Sequence, residues 1–165
     1  MTIKIFTTGG TFDKVYFDAL SEFKIGEPMV DALLAEANVN FDYDIESLLK
    51  KDSLEMDDQD RQTLRQAVAN ATQSMILITH GTDTMVDSAR ALQGIADKTI
   101  VMFGAMQPAR MRYSDAMFNL GVASAAVQTL SAGIYIAMNG QIFDALKVTK
   151  NRAQGRFEPI APNSR

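Results

Sequence analysis

Hydroxyl, carboxylate and ammonium groups gather at a few points of the chain, and their types limit the chemistry available. Thr8-Gly9-Gly10-Thr11 follows one short apolar run and His80-Gly81-Thr82-Asp83-Thr84 follows another. Paired glycines let a backbone turn sharply and come close to a ligand. The segment has neither the G-x-G-x-x-G dinucleotide fingerprint nor a lysine after its glycines, so it does not read as a phosphate cradle. Thr82 and Asp83 stand just before a helical stripe, and both are good N-cap residues. One cap serves one helix, however, and here three hydroxyl or carboxylate groups occur in succession. A helix start also presents N–H donors and the positive end of a dipole, suited to a carboxylate or a developing oxyanion.

A threonine hydroxyl is a weak nucleophile and needs a base. The chain has no cysteine and a single histidine, His80, set in a tight turn, which weakens cysteine–histidine and serine–histidine schemes. Lys150, after Val148-Thr149, is the alternative: a lysine among desolvated groups can accept a proton. Alone, a lysine is most often a solvated surface charge. The same composition removes disulfides and leaves a structural zinc site only one nitrogen ligand. No metal and no cofactor are expected.

These residues need elements to bring them together. Ile3–Phe6, Met75–Ile78, Ile100–Phe103 and Ile134–Met138 are short apolar runs rich in β-branched and aromatic residues, as strands buried on both faces are. Between them lie helical stripes: Val30, Leu33, Leu34 and Ala37; Leu64, Val68 and Ala71; Met85, Ala89, Leu92 and Ile95; and the small-residue stretch from Asp115 to Leu130. Strands alternating with such helices imply an α/β fold, three layers α/β/α around a mainly parallel sheet, Rossmann-like or flavodoxin-like. In such sheets ligands bind beyond the carboxyl ends of the strands, and that edge is where the glycine and hydroxyl residues fall. Residues Phe12 to Gly26 read as a loop or irregular hairpin, and the polar tail 151–165 as a surface extension. The 165 residues fit one domain.

Hydrophobic residues make up 47% and charged residues 22%, enough for a core. A net charge of −4 speaks against a general nucleic-acid binder. No apolar run approaches a membrane span and the first residues do not read as a signal peptide. A cytoplasmic protein without membrane or nucleic-acid partners is the expectation.

Taken together, the two glycine–threonine motifs resemble the signature motifs of the L-asparaginase family. Gly104-Ala105-Met106 with Pro108, Phe118-Asn119-Leu120 and Val148-Thr149-Lys150 resemble further family segments in the same order, so the resemblance runs from about Ile3 to Lys150. It implies the fold of the asparaginase N-terminal domain, and metal-free hydrolysis of the side-chain amide of asparagine, or a related small amide, to the acid and ammonia. By the same resemblance Thr11 attacks the amide carbon. Thr82 acts with Lys150 as its base, Asp83 holds the substrate's α-amino group, Ser53 binds its α-carboxylate beside the backbone of Gly10 and Gly81, and Ala105 offers a carbonyl to the leaving nitrogen. His80 has no catalytic part in the pattern. Family enzymes assemble as dimers of dimers, which implies a homo-oligomer, dimer or tetramer, with an asparagine- or aspartate-like substrate as the small-molecule partner.

The departures are specific. The family's lid tyrosine, which activates the nucleophile, aligns with Phe23 in Phe23-Lys24-Ile25-Gly26, and Tyr16 in the same lid region is the candidate substitute. Leu54 replaces a polar substrate contact, Asp13 a small residue beside the nucleophile, and Gln107 an arginine. Family chains are much longer: a smaller C-terminal domain, with no counterpart in this sequence, supplies a carboxylate to a neighbouring subunit's site. An amidohydrolase of low activity is therefore expected. The alternatives are an amino-acid-binding or regulatory protein without catalysis, and one subunit of a multi-chain amidotransferase.

Overall fold

The four apolar runs pair side by side because each can bury both its faces. In the computed structural model, which describes residues 1–162, they form β1 (Ile3–Gly9), β5 (Met75–Thr79), β6 (Thr99–Phe103) and β7 (Gly133–Met138), all parallel. Two strands less visible in the sequence complete the sheet. β4 (Tyr43–Lys51) lies parallel on the outer side of β1, and β8 (Gln141–Asp144) returns antiparallel along β7. The order is β4-β1-β5-β6-β7-β8. The chain reverses direction across the sheet between β1 and β5, the topological switch point at which such folds bind ligands.

Alternate residues of each strand feed two cores, as the strand period of two requires. Ile3, Ile5, Leu77, Val101, Phe103 and Ala137 face one side, packing against α1 (Val30–Glu36) and α4 (Ala116–Thr129). Phe6, Ile76, Ile78, Ile100, Met102 and Ile136 face the other, packing against α2 (Asp58–Asn70) and α3 (Met85–Ala91). The mainly parallel, three-layer α/β arrangement is the one expected. Helix α2 opens with a reciprocal capping box between Asp57 and Asp60, which satisfies two N–H groups that a bare helix start would leave unpaired. Among the described residues no helix is long and apolar enough to cross a membrane.

Residues 12–26 take the hairpin form: β2 (Lys14–Phe17) pairs with β3 (Glu22–Ile25), turning through Ser21 at φ 49°. The tail carries more order than its polarity suggests. β10 (Arg156–Pro159) pairs antiparallel with β9 (Val148–Asn151), and Phe157 is buried in the second core. The tail residues 152–156 and 159–162 are exposed, while the hairpin is anchored by one aromatic side chain. Residues 163–165, the end of that expected extension, lie outside the described residues.

Candidate active site

The switch point is closed by backbone-to-backbone contact. Gly10, at φ 77°, sits so close to the next loop that a Cβ there would lie 2.5 Å from the amide nitrogen of Gly81. A Cβ on Gly81 would in turn meet Ser53, 2.7 Å from its Oγ. Only glycine fits at either position, so the sequence Gly10–Gly81–Ser53 forms a continuous stack across the carboxyl ends of β1, β5 and the turn after β4. The buried Thr8 hydroxyl adds a bond to the Thr79 carbonyl at 2.8 Å, fastening the carboxyl ends of β1 and β5.

Lys150 arrives from β9 with its side chain only 14% exposed. Its Nζ donates to Thr82 Oγ1 at 2.7 Å and to Asp83 Oδ1 at 2.8 Å. Asp83 Oδ1 also lies 3.5 Å from Arg152 Nε, while no hydrogen bond reaches its Oδ2 among the described residues. Thr82 is buried, and its hydroxyl also contacts Met106 Sδ at 3.8 Å. Neither Thr82 nor Asp83 caps α3. The cap position belongs to Thr84, whose hydroxyl donates instead to the Ser53 carbonyl at 2.8 Å. Ser53 Oγ accepts from the Thr84 N–H at 3.3 Å, which leaves its own proton available to an anion.

Thr11 opens a single 3-10 turn, Thr11–Asp13, directly after Gly10. It is half-buried, and among the described residues no hydrogen bond engages its hydroxyl. A concavity of about 280 Å³ is lined by Thr82, Asp83 and Lys150 together with Arg90 and Ile160; Thr11, Gly10, Ser53 and Ala105 do not line it. Ala105 is buried on the loop after β6. Its neighbours are held by Asp115, which accepts from the Met106 and Gln107 N–H groups at 2.9–3.0 Å. Asn119 Nδ2 bridges Asp115 to the Gly104 carbonyl, 3.0 and 2.9 Å away. Tyr16 stands on the hairpin, half-exposed, opposite Phe23 in register and edge-on to it at 5.4 Å. The candidate hydroxyl and the phenyl ring at the lid-tyrosine position are therefore cross-strand neighbours.

His80 is fully buried: Nδ1 lies 2.7 Å from the Gly81 carbonyl and Nε2 2.7 Å from Ser88 Oγ. A carbonyl can only accept, so Nδ1 carries the proton and Nε2 accepts from the serine. Burial pushes its pKa down to about 4, so the ring is neutral and pins the turn. Asp13 is buried as well and accepts the Met29 N–H at 2.9 Å. Desolvation drives its pKa up to about 6, against the opposing pull of the Met29 bond and Arg110. Arg152 and Arg110 had not stood out in the sequence, since each lies in a loop or tail with no periodic pattern to mark it, and Asp115 had stood out only as the start of a helical stretch, where it is the N-cap of α4.

Residues 2–160 match the model of the asparaginase N-terminal domain, and the chain belongs to the asparaginase family. A probable periplasmic L-asparaginase of Haemophilus influenzae is 31% identical over 163 residues, covering 90% of this chain and 46% of that protein. The thermostable L-asparaginase of Thermococcus kodakarensis superposes with a TM-score of 0.83 at 26% identity, over 96% of this chain and 51% of the other. A probable cytoplasmic L-asparaginase from Campylobacter jejuni gives 0.78 at 30% identity, over 91% and 49%. The chain thus spans about half the length of these relatives.

Proposed function

We propose that this chain is an asparaginase-type amidohydrolase that releases ammonia from the side-chain amide of asparagine or a related small amide. The observation that carries the reading is the Lys150 ammonium bridging Thr82 Oγ1 and Asp83 Oδ1 while Asp83 Oδ2 stays unbonded among the described residues. That arrangement pairs a buried hydroxyl with a proton carrier and offers a carboxylate oxygen to a substrate α-amino group. Ser53 Oγ and the Gly81 N–H receive the α-carboxylate, with Gly10, whose own N–H is bonded to the Lys51 carbonyl at 2.9 Å, forming the wall beside them, and the Ala105 carbonyl receives the amide nitrogen.

In the reaction Thr11 Oγ1 bonds to the amide carbon. Its proton passes to a neighbouring base, for which we assign Lys150, acting through Thr82 after its ammonium has released a proton to solvent and become the neutral amine; Tyr16, as the phenolate, is the alternative. The C–N bond breaks as the nitrogen takes up a proton and leaves as ammonia. Water then opens the threonyl ester, freeing the acid and restoring Thr11. Names among the relatives include both a periplasmic and a cytoplasmic asparaginase, so a cytoplasmic location rests on the sequence reading. Assembly into a homo-oligomer is likewise part of the proposal.

Ammonia release from asparagine, glutamine and small aliphatic amides tests it, with Thr82→Ala as the control. Loss of a proton-transfer partner lowers kcat by roughly 10²–10⁴-fold. No turnover of any amide, or turnover unchanged in Thr82→Ala, would reject the reading. Saturable aspartate binding without turnover would favour the binding protein, a reading motivated by Phe23 at the lid position.

A further inference from the structure

Two stems carry the Lys14–Ile25 hairpin, and one side chain from a distant loop holds both. Arg110 lies 97 residues beyond Asp13 in sequence, on the loop that follows β6. Its Nη1 donates to the Asp13 carbonyl at 2.9 Å, on the entry stem, and its Nη2 to the Glu27 carbonyl at 3.0 Å, on the exit stem. The same Asp13 carbonyl accepts the Gly26 N–H at 2.8 Å, and the Ala109 N–H bonds the Phe12 carbonyl at 3.1 Å. Asp13 Oδ1 holds the Met29 N–H, so the exit stem is fastened a second time just before α1. Gly26 packs closely in this knot: a Cβ there would lie 3.1 Å from the Asp13 carbonyl oxygen and 3.2 Å from Arg110 Nη1. These bonds join the segment that begins at Thr11, the hairpin that carries Tyr16, and the loop that carries Ala105.

We propose that Arg110 is a positioning residue, a two-pronged clasp that fixes the hairpin stems and thereby sets Thr11 and Tyr16 against the Ala105 loop. Its consequence for catalysis rests on the amidohydrolase reading; its mechanical part does not. The planar guanidinium is what allows one side chain to span two carbonyls, and a lysine ammonium on a flexible stem cannot reproduce that fork. The hairpin otherwise contributes little to either core: Tyr16, Phe17, Leu20 and Phe23 are all substantially exposed. Segments with few buried contacts open easily unless tied, so the clasp decides how far this one strays.

Hydrogen exchange and steady-state kinetics on Arg110→Ala and Arg110→Lys test it against the parent chain. Amides of residues 14–25 should exchange about tenfold faster or more in both variants, with those of β1, β5 and β6 unchanged. With asparagine as substrate, kcat should fall about tenfold while KM moves less than about threefold, because Ser53 and Asp83 are untouched. Hairpin exchange equal to the parent's in Arg110→Ala, or acceleration spread evenly over the whole sheet, overturns the clasp. So does an Arg110→Lys variant indistinguishable from the parent. A loosened hairpin with unaltered kcat overturns the positioning role. If the parent turns over no amide, the amidohydrolase reading fails separately and the exchange data still decide the clasp.

Discussion

Two buried titratable residues flank the switch point, and they respond to acid in opposite senses. The Asp13 carboxyl has its pKa raised from 3.8 to about 6 by burial, so the folded chain keeps a proton that the unfolded chain has lost. Its contribution to stability is full below the unfolded value and is lost as pH rises through 6. His80, lowered from 6.5 to about 4, contributes fully above 6.5 and loses that contribution as pH falls through 4. Over the shared window the two nearly cancel, each worth on the order of 3 kcal/mol. Arg110, Glu27 and Lys50 are the charged groups that act on Asp13. Asp13→Asn removes one side of the balance, so its stability should drop on going from pH 7.5 to about 4.5 while the parent's stays nearly level. Urea midpoints at the two pH values measure this, and parallel behaviour of parent and variant would mean that Asp13 titrates in the ordinary carboxylate range. This balance was not legible in the sequence, since it depends on burial. Thr11, Thr82 and Asp83 were legible as candidates from the glycine and hydroxyl residues that follow the buried runs, and Lys150 only through the resemblance of the linked motifs. The bonds of Lys150 to Thr82 and Asp83 are a matter of geometry, which spacing alone could not supply.

At the scale of elements, legibility followed apolar content. The four central strands announced themselves, whereas β4 alternates Tyr43 and Ile45 with charged Asp44 and Glu46, which pair outward with Lys4 at 2.6 and 3.0 Å. An edge strand needs only one apolar face per core, so its pattern is dilute. β10 was more deceptive: Phe157 is the single fully buried residue in a polar stretch, and one residue has no period. Yet Phe157 lies directly opposite Lys150 in the β9–β10 register, and its N–H is held by Asn139 Oδ1 at 2.8 Å. The hairpin therefore anchors the very residue that reaches Thr82. Phe157→Ala should cost about 3–5 kcal/mol of stability. Ammonia release measured well below the variant's melting temperature should also fall, because Lys150 loses its backing. Phe157→Leu, which refills most of the space, should retain both. Thermal denaturation beside the activity assay checks the pair, and an inactive Phe157→Leu of full stability would point to a role for the ring beyond packing.

The whole molecule is two cores divided by one sheet, and the division makes the sheet the common support of both. Leu77 and Ile78 are consecutive residues of β5 and both are fully buried, yet they belong to opposite cores. Loss of either core exposes the central strands on one face and removes the burial that justifies their pairing, so neither half has a reason to persist without the other. The expectation that the chain forms one domain thus becomes a statement about cooperativity. Tyr43 and Tyr135 pack against the first core, and no tyrosine packs against the second among the described residues. With Tyr16 and Tyr113, which pack against neither core, replaced by phenylalanine, near-ultraviolet circular dichroism from tyrosine reports the first core, while the far-ultraviolet signal reports both. Ile78→Ala opens a cavity in the second core at a cost of about 2–5 kcal/mol. If the sheet couples the two, the tyrosine transition in urea must shift by the same amount as the far-ultraviolet one, although the mutation lies on the face away from both tyrosines. Separate midpoints in the variant would show instead that the two layers unfold independently. The site at the switch point, whose loops draw on both faces, would then be only as stable as the weaker layer.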